Sequence, residues 1–326
     1  MCRIYLLLLA VSLLSSFVTN SPVLDVPTTR SPAPQPTAKT NIIGGDIATP
    51  GSTPWLVSIR DTQYYPPPHF CGGTILNNFW ILTTASCVTS SSYNLLVVLG
   101  EYNLDEEEGY EISRTPLLSI IHPKYTYFST HAYNAALLLV PYFSYGERIQ
   151  PASLLPKFDD KRHRLDRRFT DRMKEEEGGG KLCKTPDAKR DLQGVEGLIA
   201  GWGRTNSEEF SSVVMEANLT IQSNDFCQSA YPDDDMESLM CAADVTHGGV
   251  GACMGDSGGG LISKDGYILG IYSYAEPCAS DEFPGIYVNM SAIQDWLCSI
   301  VRFPHPMSLL AETTDYRMHS YRPSLD

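Results

Sequence analysis

The chain has 326 residues, with 24 Lys and Arg against 38 Asp and Glu, a formal net charge of −14. Nucleic acid and anionic membrane both reward cationic surfaces, so this balance argues against either as a partner. After residue 20 no apolar stretch reaches the length of a membrane-spanning helix, and the C-terminus is polar.

Arg3 precedes an apolar run over residues 4–18, and small polar residues follow. That is the charged region and short hydrophobic region of a secretory signal over residues 1–20, and it predicts a secreted, extracellular protein. No amphipathic period interrupts the run, which sets it apart from a buried helix. Residues 21–41 are rich in Pro, Thr and Ser and poor in large apolar side chains, so they read as a flexible leader. Residues 42–303 carry one domain's worth of short apolar segments. About residues 157–192 a basic run (161–168) meets Glu175-Glu176-Glu177 and three glycines, which reads as a solvated polar insertion. Residues 304–326 lack periodicity and form a tail.

Within the domain, β-rich segments bounded by turn residues predict strands over 55–59, 94–100, 135–140 and 197–202. Residues 261–269 place Asp265-Gly266 between two apolar arms, a hairpin signal. Ser291 and Gln294 form a capping box before Ile293, Trp296, Leu297, Ile300 and Val301, which recur at helical spacing. Many short strands and one closing helix give an all-β barrel class. Of nine cysteines, Cys2 falls in the signal and eight remain. An even set in an exported chain reads as disulfides; no CxxC or HxxxH spacing supports a metal site instead.

Several short motifs then appear in order. They are Ile42-Ile43-Gly44-Gly45, Pro54-Trp55, Cys71-Gly72-Gly73-Thr74, Ala200-Gly201-Trp202-Gly203, Gly255-Asp256-Ser257-Gly258-Gly259 and Pro284-Gly285-Ile286-Tyr287. In these the chain resembles the trypsin-like serine proteases, the chymotrypsin-fold peptidase S1 family. The resemblance implies two six-stranded antiparallel β-barrels, a C-terminal α-helix and a site in the cleft between the barrels.

The family's reaction uses a serine nucleophile, a histidine base, an aspartate that orients the histidine, and two backbone N–H groups for the oxyanion. The resemblance puts the nucleophile at Ser257 and the oxyanion donors at Gly255 and Ser257. Where the family has its histidine, in a Thr-Ala-Ala-His-Cys string, this chain has Thr83-Thr84-Ala85-Ser86-Cys87. The aspartate position is held by Asn134. Asp-to-Asn replacement in such a triad costs about 10⁴ in turnover. Loss of the histidine costs about 10⁶, and the losses do not multiply. His131, three residues before Asn134, is the one candidate for a surrogate base.

The resemblance also makes Ile42 and Asp256 the pair that orders the pocket after cleavage, but Asn41 precedes the bond where the family has Arg or Lys. The pocket positions are Gly251, Ser273, Ala275 and Gly285, with Pro277 in the wall, so trypsin-like selection of basic residues is not expected. Three family bridges map to Cys71–Cys87, Cys227–Cys241 and Cys253–Cys278. Cys183–Cys298 is a fourth candidate, and a bond to another chain is its alternative. Residues 100–111 are similar to the family's calcium loop. Glu101, Glu108 and Glu111 match the carboxylate ligands, and Asn103 and Glu106 match the carbonyls; a solvated acidic loop is the competing reading. No cofactor is required by this chemistry, and calcium would be structural. Asn218 and Asn289 begin glycosylation sequons.

The expected function is that of a non-catalytic serine protease homologue binding a protein partner. The alternatives are a weak endopeptidase using Ser257 and a regulator competing with active proteases.

Overall fold

The structure is a computed structural model, and it describes residues 42–90, 94–126, 131–155, 191–205, 209–244, 248–280 and 282–301. Two antiparallel sheets frame the fold. The first holds β2 (Leu56–Asp61), β3 (His69–Ile75), β4 (Trp80–Thr83), β5 (Leu95–Leu99), β6 (Ile112–Arg114), β7 (Leu118–Ile121) and β8 (Ala136–Leu139). Its spatial order is β6-β5-β2-β3-β4-β8-β7. The second holds β1 (Asp46–Ile47), β9 (Glu196–Gly201), β10 (Met215–Ile221), β11 (Leu239–Ala243), β12 (Gly260–Ser263), β13 (Ile268–Tyr274) and β14 (Gly285–Asn289). Here β9 pairs with both β12 and β10, so six strands close into a barrel and β1 adds to the outside of β10. The sequence expectation of two six-stranded barrels is met by the second in its closed ring, whereas the first, curled sheet carries a seventh short strand. Three helices complete the described residues: α1 (Ala85–Ser90), α2 (Asn224–Ala230) and α3 (Met290–Val301).

Strand alternation explains how the first barrel both fills its core and serves the site. On β2, Val57 and Ile59 enter the barrel core with Ile75, Ile81, Val97, Leu99 and Leu138. Leu56 and Ser58 therefore face the other way, toward the second barrel. Leu56 packs with Trp202, Ala200 and Val214 in a separate cluster, and Ser58 bonds to His69. Trp202 is wholly buried and donates its indole N–H to the Tyr102 carbonyl at 3.0 Å. Burial of such a ring contributes roughly 3 kcal/mol.

The predicted strands appear within a residue or two of their expected bounds. The Asp265-Gly266 turn joins β12 to β13, with Gly266 at φ 82° and its N–H bonded to the Ser263 carbonyl. One local reading needs correction. The helix α3 begins at Met290, and Asn289 Oδ1 accepts the Ser291 N–H at 2.9 Å, so the cap is Asn289. Ser291 Oγ is buried without a hydrogen-bond partner, and Gln294 is turned inward to donate to the Leu155 carbonyl at 2.7 Å. The Ser291–Gln294 box does not form because Gln294 has a tertiary acceptor that outcompetes a local one. Among the described residues no helix is long and apolar enough to cross a membrane.

Candidate functional site

Ser257 sits on the loop between β11 and β12. Asp256 before it is wholly buried and accepts two backbone N–H groups, from Gly203 at 2.8 Å and Cys253 at 3.0 Å. Burial pushes its carboxyl up to about 6, against the pull of those two donors. Gly258 has φ 93°, and a Cβ there would stand 2.2 Å from Thr83 Oγ1 and 2.3 Å from the Gly72 carbonyl oxygen, so only glycine fits. The Gly72 N–H donates to the Ser257 carbonyl at 2.8 Å, which ties the loop to β3.

Peptide planarity orients the two expected oxyanion donors. The Met254 carbonyl accepts from Arg204 and the Asp256 carbonyl accepts from Gly259. In trans peptides the following N–H groups, those of Gly255 and Ser257, point the opposite way. Neither donates to another described group in the backbone network.

Ser86 lies on the first turn of α1, and Asn134 precedes β8 and is 2% exposed. The Ser86 N–H donates to Asn134 Oδ1 at 2.9 Å. Asn134 Nδ2 donates to Ser86 Oγ at 3.2 Å and to Ser273 Oγ at 2.9 Å. Ser86 Oγ also contacts Thr84 Oγ1 at 3.1 Å. Both ends of the amide are thus used. Ser257 Oγ is aimed at the same corner and donates its proton to the Ser273 carbonyl at 3.0 Å. Sequence reasoning named Ser86, Asn134, Ser257 and Ser273, and the structure brings all four together. A backbone carbonyl has no signature in the sequence, so the Ser257–Ser273 bond was not foreseeable.

The three described histidines are engaged elsewhere. His131, the surrogate-base candidate, lies over Tyr274 with ring centroids 3.9 Å apart, and its Nδ1 is 3.6 Å from Asp234 Oδ1. Tyr274 in turn donates to Asp234. His122 stacks on Tyr133 at 4.8 Å and accepts the Lys124 N–H at Nδ1; burial and then Lys124 lower it to about 4. His69 is buried between Ser58 Oγ, 2.9 Å from Nδ1, and the Gly255 carbonyl, 3.1 Å from Nε2. Burial lowers it to about 4. The Ser58–His69–Gly255 link was missed in the sequence. Its available signal was Ser58, the single polar residue of the 55–59 segment.

Of the expected pocket positions, Ser273 is buried and bonded to Asn134. Gly251 is buried, and a Cβ on it would meet Ala279 at 3.5 Å; Ala275 and Gly285 are half-buried near the β13–β14 pairing. Ile42 is wholly buried at φ 45°, and Ile43 bridges Gly251. No cation faces Asp256 among the described groups that shift it. Pro277 follows a cis bond from Glu276, whereas Asn41 and residues 157–190 of the insertion lie outside the described residues.

A family profile described as Trypsin matches residues 42–165 and 174–297. The chain belongs to the trypsin family. It is 31% identical over 258 residues to Trypsin II-P29 of Gallus gallus, covering 78% of this chain and 87% of that protein. It is 30% identical to the clotting factor G beta subunit of Tachypleus tridentatus, covering 80% of each chain. It is 29% identical to serine proteinase stubble of Drosophila melanogaster, covering 81% of this chain but 31% of that longer protein.

The three bridges that the resemblance implied are present. Cys71–Cys87, Cys227–Cys241 and Cys253–Cys278 all form. Cys298 is also disulfide-bonded, and Cys183 lies outside the described residues. Asn218 is exposed on β10, open to modification, whereas Asn289 is half-buried with its amide oxygen spent on capping α3.

The loop matching the family's calcium site does not fit a metal as it stands. Glu101 Oε2 takes the Arg60 guanidinium, and Glu108 Oε2 lies 3.0 Å from Arg148 Nη1. The two oxygens of Glu111 accept the N–H groups of Glu108 at 2.6 Å and Gly109 at 2.7 Å. The Asn103 carbonyl accepts the Glu106 N–H at 3.1 Å. Among these acceptors only Glu101 Oε1 and the ion-paired Glu108 Oε2 are buried without a hydrogen-bond partner, two oxygens where calcium takes six to eight. No group of three or more His, Cys, Asp or Glu among the described residues could hold a metal ion.

Proposed function

We propose that this trypsin-family chain is a secreted protein that binds a protein partner and does not cut peptide bonds. The observation that carries the reading is the hydrogen bond from Ser257 Oγ to the Ser273 carbonyl, beside the Ser86–Asn134–Ser273 network. An amide oxygen can hold that proton but is far too weak a base to remove it at neutral pH, and general-base catalysis needs a group titrating near the working pH. Ser86 supplies a hydroxyl where the family has an imidazole, and Asn134 supplies no negative charge to stabilise one. His131 is held by Tyr274 and Asp234. What survives, the N–H pair of Gly255 and Ser257 with whatever binding the cleft offers, leaves roughly 10³ over the uncatalysed rate. Export agrees with the disulfides, which persist in oxidising compartments.

A second reading, a feeble endopeptidase that uses Ser257, draws on those two N–H groups, neither of which is spent within the described backbone network. Steady-state hydrolysis of peptide thioesters with small, aromatic and basic side chains separates the two, with Ser257→Ala as the reference. Equal rates for native and Ser257→Ala protein support the partner-binding reading. Ser257-dependent hydrolysis overturns it.

A further inference from the structure

We propose that Arg60 is the resident cation of the 100–111 loop, standing where the family's metal would stand, and that it couples this loop to the nucleophile loop through Ser58 and His69. The first half rests on how the acceptors are used. Arg60 projects from β2 onto Glu101, which follows β5, the strand paired with β2; the two side chains are 18% and 3% exposed. A guanidinium is always charged and presents a rigid fork of donors, so it neutralises a buried carboxylate without coordination chemistry. Arg148 does the same for Glu108, its guanidinium lying 4.0 Å from the Tyr110 ring centroid. Glu111 folds back on the N–H groups of its own turn. Three carboxylates therefore meet two fixed cations and two backbone donors. A divalent ion would have to take Glu101 from Arg60, and leaving a largely buried guanidinium unpaired is strongly unfavourable.

The second half rests on donor direction. The Gly255 carbonyl can only accept, so His69 carries its proton on Nε2 and donates at 3.1 Å. With His69 neutral, Nδ1 must accept, and Ser58 Oγ donates to it at 2.9 Å. The hydroxyl's lone pairs are then open to Arg60 Nε, which can only donate and lies 3.4 Å away, a long contact. The chain of bonds Glu101–Arg60–Ser58–His69–Gly255 is consistent in polarity at every step. It runs from the acidic loop to the carbonyl beside Ser257. No local motif announces it, because Arg60 and Glu101 are 41 residues apart.

The test compares the full secreted chain, native and Arg60→Gln, by thermal melting in millimolar CaCl2 and in EDTA, with calorimetric titration of Ca²⁺. A micromolar site in millimolar calcium would raise Tm by roughly 8–16 °C. The proposal expects a native shift below about 1 °C, within the scatter for a protein with no linked site. It expects a clear calcium-dependent rise for Arg60→Gln, whose loop has lost one fixed cation. A calcium-dependent native Tm overturns the proposal, and so does a variant that gains no calcium binding. If Arg60→Gln does not fold, Arg60→Lys is used. It keeps the charge but not the fork, so it should remain calcium-independent while amide exchange in residues 253–258 quickens. Unchanged exchange there overturns the coupling.

Discussion

If proton transfer is what the cleft lacks, Ser86→His combined with Asn134→Asp should restore it. Asn134 already accepts the residue-86 N–H through Oδ1 and contacts Ser273 Oγ through Nδ2. An aspartate keeps the first bond, and the Ser273 hydroxyl can rotate to donate to the second oxygen. The imidazole placed at residue 86 then finds a carboxylate for its Nδ1–H, in the position where Asn134 now meets Ser86 Oγ at 3.2 Å. Asn134→Asp alone should gain no activity and should lower stability by about 1–3 kcal/mol, because it buries a carboxylate with no cationic counterpart. Ser86→His alone should remain about 10⁴ below a complete triad, since a neutral amide fixes the wrong tautomer. The double variant should exceed the native chain by up to about 10⁶ in turnover. All four proteins would carry Asn41→Arg, so that trypsin can free the amino group of Ile42, and would be assayed on the same thioester panel. A folded, cleaved double variant no faster than the native chain would refute the reasoning.

Other expected outcomes concern the frame. In the uncut chain Asp256 has its carboxyl raised from 3.8 to about 6, so the folded state favours the protonated form. Its contribution is present at low pH and lost as pH rises through about 6. Relative to native, Asp256→Asn should therefore gain stability between pH 4 and pH 7, by up to about 3 kcal/mol, in urea unfolding at several pH values. His69 and His122, both lowered to about 4, act oppositely, and their contributions are lost as pH falls from 6.5. Replacing Cys71 and Cys87 together by alanine removes a cross-link between residues 16 apart and should cost about 3 kcal/mol. That corresponds to a fall in Tm of roughly 6–12 °C by calorimetry. Asn218→Gln should abolish a mobility shift on glycosidase treatment of the secreted protein, whereas Asn289→Gln should chiefly remove the α3 cap and cost about 1 kcal/mol.

The barrels were legible because their strands carry β-rich runs and their tight turns need particular residues. Gly258 and Gly266 both sit at positive φ, and their motifs announced the loop and the hairpin. The site residues Ser86, Asn134, Ser257 and Ser273 were legible for the same reason, as fixed places within short motifs. What the sequence hid depends on partners far along the chain. Gln294 satisfies the Leu155 carbonyl across 139 positions, which turned a plausible capping box into an Asn289 cap. The acidic 100–111 loop looked ready for a cation, and its cations arrive on Arg60 and Arg148 from other segments. His131, the surrogate-base candidate, is drawn to Asp234 and Tyr274, over a hundred residues downstream.

The most direct test is intact-mass measurement of the purified native protein after exposure to an excess of a fluorophosphonate, which reacts only with a serine whose proton is taken away as it attacks. An unmodified mass, alongside quantitative labelling of active trypsin in the same tube, is the predicted result. A single covalent adduct on Ser257 of the folded chain would contradict it.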